Sequence, residues 1–255
     1  MSEKNNTADI LGKKVFFLYP TASIQNQIVT ELVQHEFEVY IVKNHINLPN
    51  VLKRNPDSIV FVNIDERMSE QEWEKWISGI LTALPEVKIG VFSANPDEEL
   101  REKYINKLRV TCGFMILKLD MSKIIGKILE VLNVINVKGR RKYLRTVTDN
   151  DPSANLNVPF NGEYVNGTIN DISVVGFACT LESDPGFKKN ELVKDIQIKL
   201  QSMLLKVEAV VFGSREDAGQ KMYVLLFTQR IDPDIRVKIR KYIQGNLQSK
   251  MDLDL

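Results

Sequence analysis

Along residues 13–136, short apolar runs alternate with segments of helical period, five times over. The runs are "KVFFL" (14–18), "EVYIV" (38–42), "SIVFV" (58–62), "KIGVF" (88–92) and "FMILK" (114–118). Between them, Ile24, Ile28 and Leu32 recur at i, i+4 and i+8, and Trp73, Trp76, Ile77, Ile80, Leu81 and Leu84 follow with helical spacing. Leu100, Tyr104, Ile105 and Leu108 make another stripe, and Ile124, Ile125, Ile128, Leu129 and Leu132 the last. A shorter helix is expected near Leu48, Val51 and Leu52. Such alternation predicts a parallel sheet covered by helices on both faces. Five units in about 125 residues suit the flavodoxin-like strand order 2-1-3-4-5. The two tryptophans sit on a clean helical stripe, which predicts core or interface packing rather than a ligand platform.

From about residue 157 the period changes to two. In "VVGFACTLE" (174–182), Val175, Phe177, Cys179 and Leu181 point one way and Val174, Gly176, Ala178 and Thr180 the other. "DIQIKL" (195–200), "LKVEAVVF" (205–212) and "KMYVLLF" (221–227) are further strands. Turn signals lie at "NG" (161–162 and 166–167), "SDPG" (183–186) and "GSREDAG" (213–219). Short, evenly spaced strands predict a small antiparallel barrel. A final helix, capped by Asp232 or Asp234, carries Ile235, Ile239, Tyr242, Ile243 and Leu247 on one apolar face that should lie across the barrel. The expected organisation is therefore two domains, 1–136 and 137–255, with residues 137–150 as the linker.

Composition changes this picture little. The 255 residues are 44% hydrophobic and 26% charged, with a net charge of +1, so nothing global argues for nucleic acid or an anionic membrane. Residues 1–136 hold 16 Lys+Arg against 18 Asp+Glu, and residues 137–255 hold 18 against 15, so any anion site must be local. Cys112 and Cys179 lack metal or redox spacing, and His35 and His45 are the only histidines. Zinc and disulfide readings are therefore poor, and all four residues read as structural. No metal, cofactor or catalytic constellation is expected. The start "MSEKNNTADILGKK" has no apolar core of the signal-peptide kind, and no run approaches a membrane span. The expected compartment is a reducing cytoplasm.

The first half resembles a response-regulator receiver domain that has lost its phosphoacceptor. Ser93 in "VFSAN" and Lys118 in "MILKLD" match the hydroxyl and lysine that end the fourth and fifth strands of that family. The acidic pair expected after the first strand is absent, since Tyr19 and Pro20 stand there, and "IVFVNID" puts Asn63 where the aspartate belongs. An amide cannot accept a phosphoryl group, and without carboxylates there is no cage of hard oxygens for Mg²⁺. Asp65 is the alternative acceptor and would still lack metal ligands. The resemblance implies a pseudo-receiver whose role is contact with another protein, with a second copy in a homodimer, or with the following domain.

Two motifs open the second half. "KGRRKYLR" (138–145) places five cations in eight positions, with Arg141 and Arg145 four apart, and "GTINDISVVGFA" holds Asp171, Ser173 and Gly176 as Asp-x-Ser-x-x-Gly. Alone, the first reads as a solvated linker and the second as a strand-end turn with a glycine where backbones approach. Together, ahead of a small barrel that ends in a helix, they resemble the PilZ domain, the bacterial receptor for cyclic di-GMP. That resemblance implies a six-stranded barrel with a C-terminal helix, and ligand binding by Arg141, Arg145, Asp171, Ser173 and Gly176, with Arg140 as a further contact. The penultimate strand departs from the family, carrying Leu225 in "YVLLF" where members often have glycine.

Cyclic di-GMP carries two phosphodiester charges and two flat guanines. Arginine offers a planar fork for phosphate or a guanine O6/N7 edge and a face for stacking. Extended residues four apart span roughly 13 Å, enough to hold different parts of one ligand or two stacked ligands. Asp171 is acceptor-only and suits guanine N–H groups or an arginine. The expected function is a cyclic di-GMP receptor whose ligand orders the arginine linker and reorients the domains, changing contact with a downstream protein, with the flagellar or chemotaxis machinery among the candidates. The alternatives are a PilZ-like adaptor that binds no nucleotide and a response-regulator output protein. No specific nucleic acid is expected, since no helix-turn-helix pattern follows residue 137.

Overall fold

Five parallel strands, Val15–Leu18 (β1), Val39–Val42 (β2), Ile59–Asn63 (β3), Lys88–Ser93 (β4) and Phe114–Ile116 (β5), stand in the order β2-β1-β3-β4-β5. This is the flavodoxin-like order that the alternating pattern predicts. The computed structural model describes residues 12–118, 120–139, 141–217 and 219–255. Arg140, one of the candidate site residues, lies outside the described residues.

The connecting helices are α1 (π-helical over Ile24–Val29, then Thr30–Gln34), α2 (Leu48–Arg54), α3 (Glu70–Ala83), α4 (Glu98–Glu102 with the π-helical Lys103–Lys107) and α5 (Met121–Val134). Every second residue of β1 and β3 (Val15, Phe17, Ile59 and Phe61) packs with Ile24, Ile28 and Leu32 of α1 and with Ile124, Ile128 and Leu132 of α5. Phe16, Leu18, Val60 and Val62 point to the opposite face and are equally buried, as are Leu48 and Leu52 of α2 and Trp73 and Ile77 of α3. Burial of both faces explains why these strands read as continuous apolar runs. A reciprocal cap begins α3, with the Ser69 hydroxyl accepting from the Glu72 amide and the Glu72 carboxylate accepting from the Ser69 amide.

The second sheet is antiparallel throughout. Its strands are Arg145–Val147 (β6), Asn155–Phe160 (β7), Glu163–Ser173 (β8), Gly176–Leu181 (β9), Leu192–Leu200 (β10), Met203–Asp217 (β11) and Gln220–Phe227 (β12). The pairings β8-β7-β10-β11-β12-β9, with β9 returning to β8, close a six-stranded barrel. Short β6 lies outside that ring and pairs with the last residues of β8. Ile169, Ile172, Phe177, Cys179, Ile196, Ile198, Val207, Ala209, Tyr223 and Leu225 fill the interior. Leu225 thus faces inward, so the departure noted in "YVLLF" concerns the core.

Several local expectations shift. Residues 174 and 175 form the two-residue turn between β8 and β9, so the strand predicted from 174 begins at Gly176. "NG" at 161–162 is a hairpin turn, with Asn161 and Gly162 both in the left-handed region (φ 53° and 85°). The second "NG", at 166–167, lies within β8. There a Cβ on residue 167 would meet the Thr180 carbonyl oxygen at 2.6 Å, so glycine serves close approach rather than turning. Most of "GSREDAG" extends β11 to Asp217 instead of forming a loop.

The final helix, α6 (Pro233–Asp252), starts at a proline in its first position, with Asp232 accepting from the Asp234 amide at 2.9 Å. Asp232 is therefore the cap. Ile239, Tyr242 and Ile243 enter the barrel core, with Ile235 and Leu247 packed against it. The described chain separates into two compact units, one ending at Lys142 and including Met251–Leu255, the other Tyr143–Lys250.

The "SDPG" turn is held electrostatically. Asp184 accepts from the Tyr223 hydroxyl, from the Gly186 amide at 2.9 Å and from Lys221 at 3.0 Å. These contacts, the Tyr223 hydrogen bond foremost, pull its carboxyl down to about 2. A carboxylate depressed in the folded state stabilises above its unfolded value and loses that contribution as pH falls through the folded one. Urea melts of the wild type and Asp184→Asn across about pH 4 to 2 should show a shallower acid decline in the variant; equal slopes would contradict this assignment.

Candidate functional site

β6 has three residues, and the alternation of strand side chains sorts them cleanly. Its register is Arg145 opposite Ser173, Thr146 opposite Ile172 and Val147 opposite Asp171. Thr146 and Ile172 are buried, which leaves Arg145, Val147 and Asp171 on the outer surface of the barrel. The Arg145 guanidinium stands 3.3 Å from the Asp171 carboxylate, with side-chain exposures of 45% and 15%. An ion pair this open to solvent contributes at most about 1 kcal/mol. The arginine can therefore exchange that partner for a phosphate at little cost, while Asp171 stays in place as an acceptor.

Ser173 and Gly176 face each other across the tight turn. The Ser173 hydroxyl, 3% exposed, donates to the Gly176 carbonyl at 3.1 Å and accepts from the Val175 amide at 3.4 Å. A Cβ on residue 176 would lie 2.2 Å from the Leu225 carbonyl oxygen and 3.0 Å from Leu226 Cα. Glycine is thus demanded by the approach of β12, whatever binds outside. Arg141 is exposed and belongs to the first compact unit, whereas Arg145, Asp171, Ser173 and Gly176 belong to the second.

Sequence reasoning missed the groups that secure β6 from its other flank. Tyr242, Asn246 and Lys250 of α6 are spaced four apart and form one stripe. The Tyr242 hydroxyl donates to Asp151 at 2.8 Å. Asn246 accepts from the Thr146 hydroxyl at 2.6 Å and donates to Asn150 at 2.8 Å. Lys250 donates to the Val147 carbonyl at 2.7 Å and to Asp149. The one available signal was that spacing of polar residues along an otherwise amphipathic helix.

The receiver-like half shows what replaces phosphoacceptor chemistry. Asn63 is buried, donates to the Tyr19 carbonyl at 3.0 Å and accepts from the Asp65 amide at 3.3 Å. Asp65 takes the Ser93 hydroxyl at 2.7 Å and the Ala94 amide. Tyr19, at φ 51°, hydrogen-bonds His45 Nδ1 at 2.9 Å and packs edge-on to Trp73, which also meets the His45 ring. Aromatic rings therefore gather after β1, where a metal cage would need carboxylates. Lys118 is exposed. Among the described residues no group of three or more His, Cys, Asp or Glu could hold a metal ion. Trp73 is buried, and half-buried Trp76 donates to the His45 carbonyl at 3.2 Å.

A parallel 2-1-3-4-5 domain followed by a closed barrel with arginine on its outer edge defines a two-domain protein whose first half is receiver-like in fold. The barrel is a PilZ domain: the PilZ domain family model matches residues 139–245. No curated protein matches the chain. Among solved structures, the PilZ domain of YcgR from Escherichia coli with c-di-GMP aligns at 16% identity and a TM-score of 0.38, covering 44% of this chain and 94% of that one. The Bacillus subtilis inhibitor of motility (MotI/DgrA) aligns at 20% identity and 0.38, covering 44% of this chain and 52%, about half, of that one. A response regulator from Thermotoga maritima aligns at 20% identity and 0.39, covering 48% and 99%.

Two measurements test these local assignments. Gly176→Ala should lose roughly 1–3 kcal/mol in denaturant melts without any ligand, as overpacking against backbone does; an unchanged midpoint would deny the glycine its fold role. Asn63→Asp, treated with acetyl phosphate and Mg²⁺, should take up no phosphoryl group by intact mass, because the aromatic cluster leaves no metal cage; a mass gain of one phosphoryl would contradict that reading.

Proposed function

We propose that the chain is a bacterial receptor for cyclic di-GMP, without a catalytic step, that relays ligand occupancy to a downstream protein. The observation that carries this reading is the outward pairing of Arg145 with Asp171 on the edge of a PilZ barrel, four residues after Arg141. The guanidinium forks would take phosphodiester oxygens or guanine O6/N7 edges, and Asp171 would accept from guanine N–H groups. Ser173 and Gly176 would serve chiefly by fixing the turn that presents Asp171, and Arg140 would add positive potential or a third contact. Arginine stays charged throughout the cellular pH range, so binding needs no proton.

Placement supplies the switch. Arg141 and Arg145 stand four apart on the segment that links the two halves of the chain, so a dianion held by both would order that linker. Five like charges repel one another when no ligand is present, and neutralising them would order the segment. The ligand can shift the equilibrium only by its differential affinity for the two arrangements. Asn63 and the aromatic cluster leave the first domain without phosphorylation control, which suits a surface for protein contact or self-association. A partner in the motility machinery fits the inhibitor of motility among the aligned structures, and the cytoplasm fits two buried free cysteines.

Calorimetric titration with cyclic di-GMP, with GTP and cyclic AMP as controls, should give selective binding. Arg141→Ala and Arg145→Ala should each weaken it by about tenfold or more, in keeping with charged hydrogen bonds of ~1.5–3 kcal/mol. Unaltered affinity in both variants would sink the site, and the absence of any binding would leave the adaptor reading. Small-angle scattering with and without ligand should differ; identical curves would remove the interdomain response.

A further inference from the structure

We infer that Asn246 is a positioning residue for Arg145: through Thr146 and Asn150, it holds the three-residue strand that presents the guanidinium. The inference rests on the cyclic di-GMP reading above and extends it to a residue that no part of the ligand needs to touch.

The physical case begins with the weakness of β6. Three residues paired on one edge form few ladder hydrogen bonds, and its only partner strand among the described residues is β8. A strand this short has little stability of its own and is held by whatever packs on its other side. That side is α6. Alternation sends Thr146 inward as it sends Arg145 outward, so the inward residue is the handle by which the helix sets the outward one.

The handle is buried and specific. Asn246 is 1% exposed and so is Thr146. The Thr146 hydroxyl reaches the Asn246 carbonyl oxygen at 2.6 Å, and the Asn246 amide reaches Asn150 Oδ1 at 2.8 Å. One side chain thereby fixes both the strand and the segment that follows it. The Thr148 amide, bonded to the Asn170 carbonyl at 3.0 Å, completes the attachment to β8. Tyr242 and Lys250 bind Asp151 and Val147 one helical turn to either side, so Asn246 is the centre of the stripe. It is also the one whose partner lies next to Arg145.

A buried amide that loses its partner is costly, so α6 and β6 have one favoured relative register. Removing the amide should let β6 fray, and Arg145 would then sample positions away from Asp171. The ligand would have to reorder the strand on binding and would bind more weakly by the cost of that ordering.

The test is a double-mutant cycle read by calorimetry with cyclic di-GMP on the full chain. Asn246→Ala should weaken binding by about tenfold, near 1.4 kcal/mol. In an Arg145→Ala background the same substitution should cause little further loss, because the residue it positions is gone. Full additivity in that background, or unchanged affinity of the single variant, would overturn the inference. Should Asn246→Ala fold poorly, Thr146→Val removes the hydroxyl from the other end of the contact and must give the same pattern. Amide hydrogen exchange supplies a readout without ligand: residues 145–147 should exchange faster in either variant while β10–β12 keep their protection. Uniformly faster exchange would mean a general loss of stability and would also overturn it. A wild type that fails to bind cyclic di-GMP refutes the receptor reading instead, and the exchange arm then decides the Asn246–Arg145 link alone.

Discussion

The pairing of Arg145–Val147 with Asp171–Ser173 governs where the charges of the barrel's outer edge stand. In-register pairing of the two segments sets Arg145 and Asp171 as diagonal neighbours on one face, and a one-residue slip of β6 would turn Arg145 toward the core while Asp171 stayed where β7 and β9 hold β8. That register is enforced from three directions: the tight turn closed by Ser173, the close approach of β12 at Gly176, and the polar stripe of α6. None of those groups needs to be a ligand contact for the site to depend on it. A motif that looks like a binding signature is thus partly a folding signature.

The receiver-like domain shows the opposite economy of change. Its sheet order and core are intact, yet the site at the ends of β1 and β3 has been refilled. Asn63 uses its amide to bridge Tyr19 and Asp65, and Asp65 uses its carboxylate to hold Ser93 and Ala94. Asn63, Asp65 and Ser93 are thus each committed to a neighbour. Tyr19, His45 and Trp73 then pack at the end of β1. Buried hydrogen bonds and ring contacts favour one arrangement, whereas an acidic cage stores repulsion until a cation arrives. Such a site keeps the shape of the domain without presenting a cage of carboxylates.

The sequence pattern revealed unequal shares of all this, for physical reasons. Strands β1 to β5 were legible because burial on both faces makes them continuous apolar runs. Strands β10 to β12 were legible because one face is wet and alternation survives. β8 was not singled out: "EYVNGTINDIS" sends only Ile169 and Ile172 into the core beyond Gly167, and an irregularity between Ile169 and Asp171 breaks the alternation there. Asn166-Gly167 mimicked a turn because a glycine demanded by a neighbouring strand looks the same in sequence as one demanded by a bend. Among the candidate site residues, Arg145 and Asp171 could be found from local motifs. Asn246 could not, since its contact with Thr146 spans 100 residues.

Each compact unit also carries a single thiol, Cys112 in one and Cys179 in the other, both buried and free. Burial pushes the pKa of the Cys112 thiol up to about 11 and that of Cys179 up to about 12, so neither forms an appreciable thiolate while its unit is folded. The molecule therefore comes with two built-in opening gauges: an alkylating reagent marks one cysteine only when the parallel sheet parts, and the other only when the barrel does. Peptide mapping after a timed pulse would separate the two lifetimes without any engineered label.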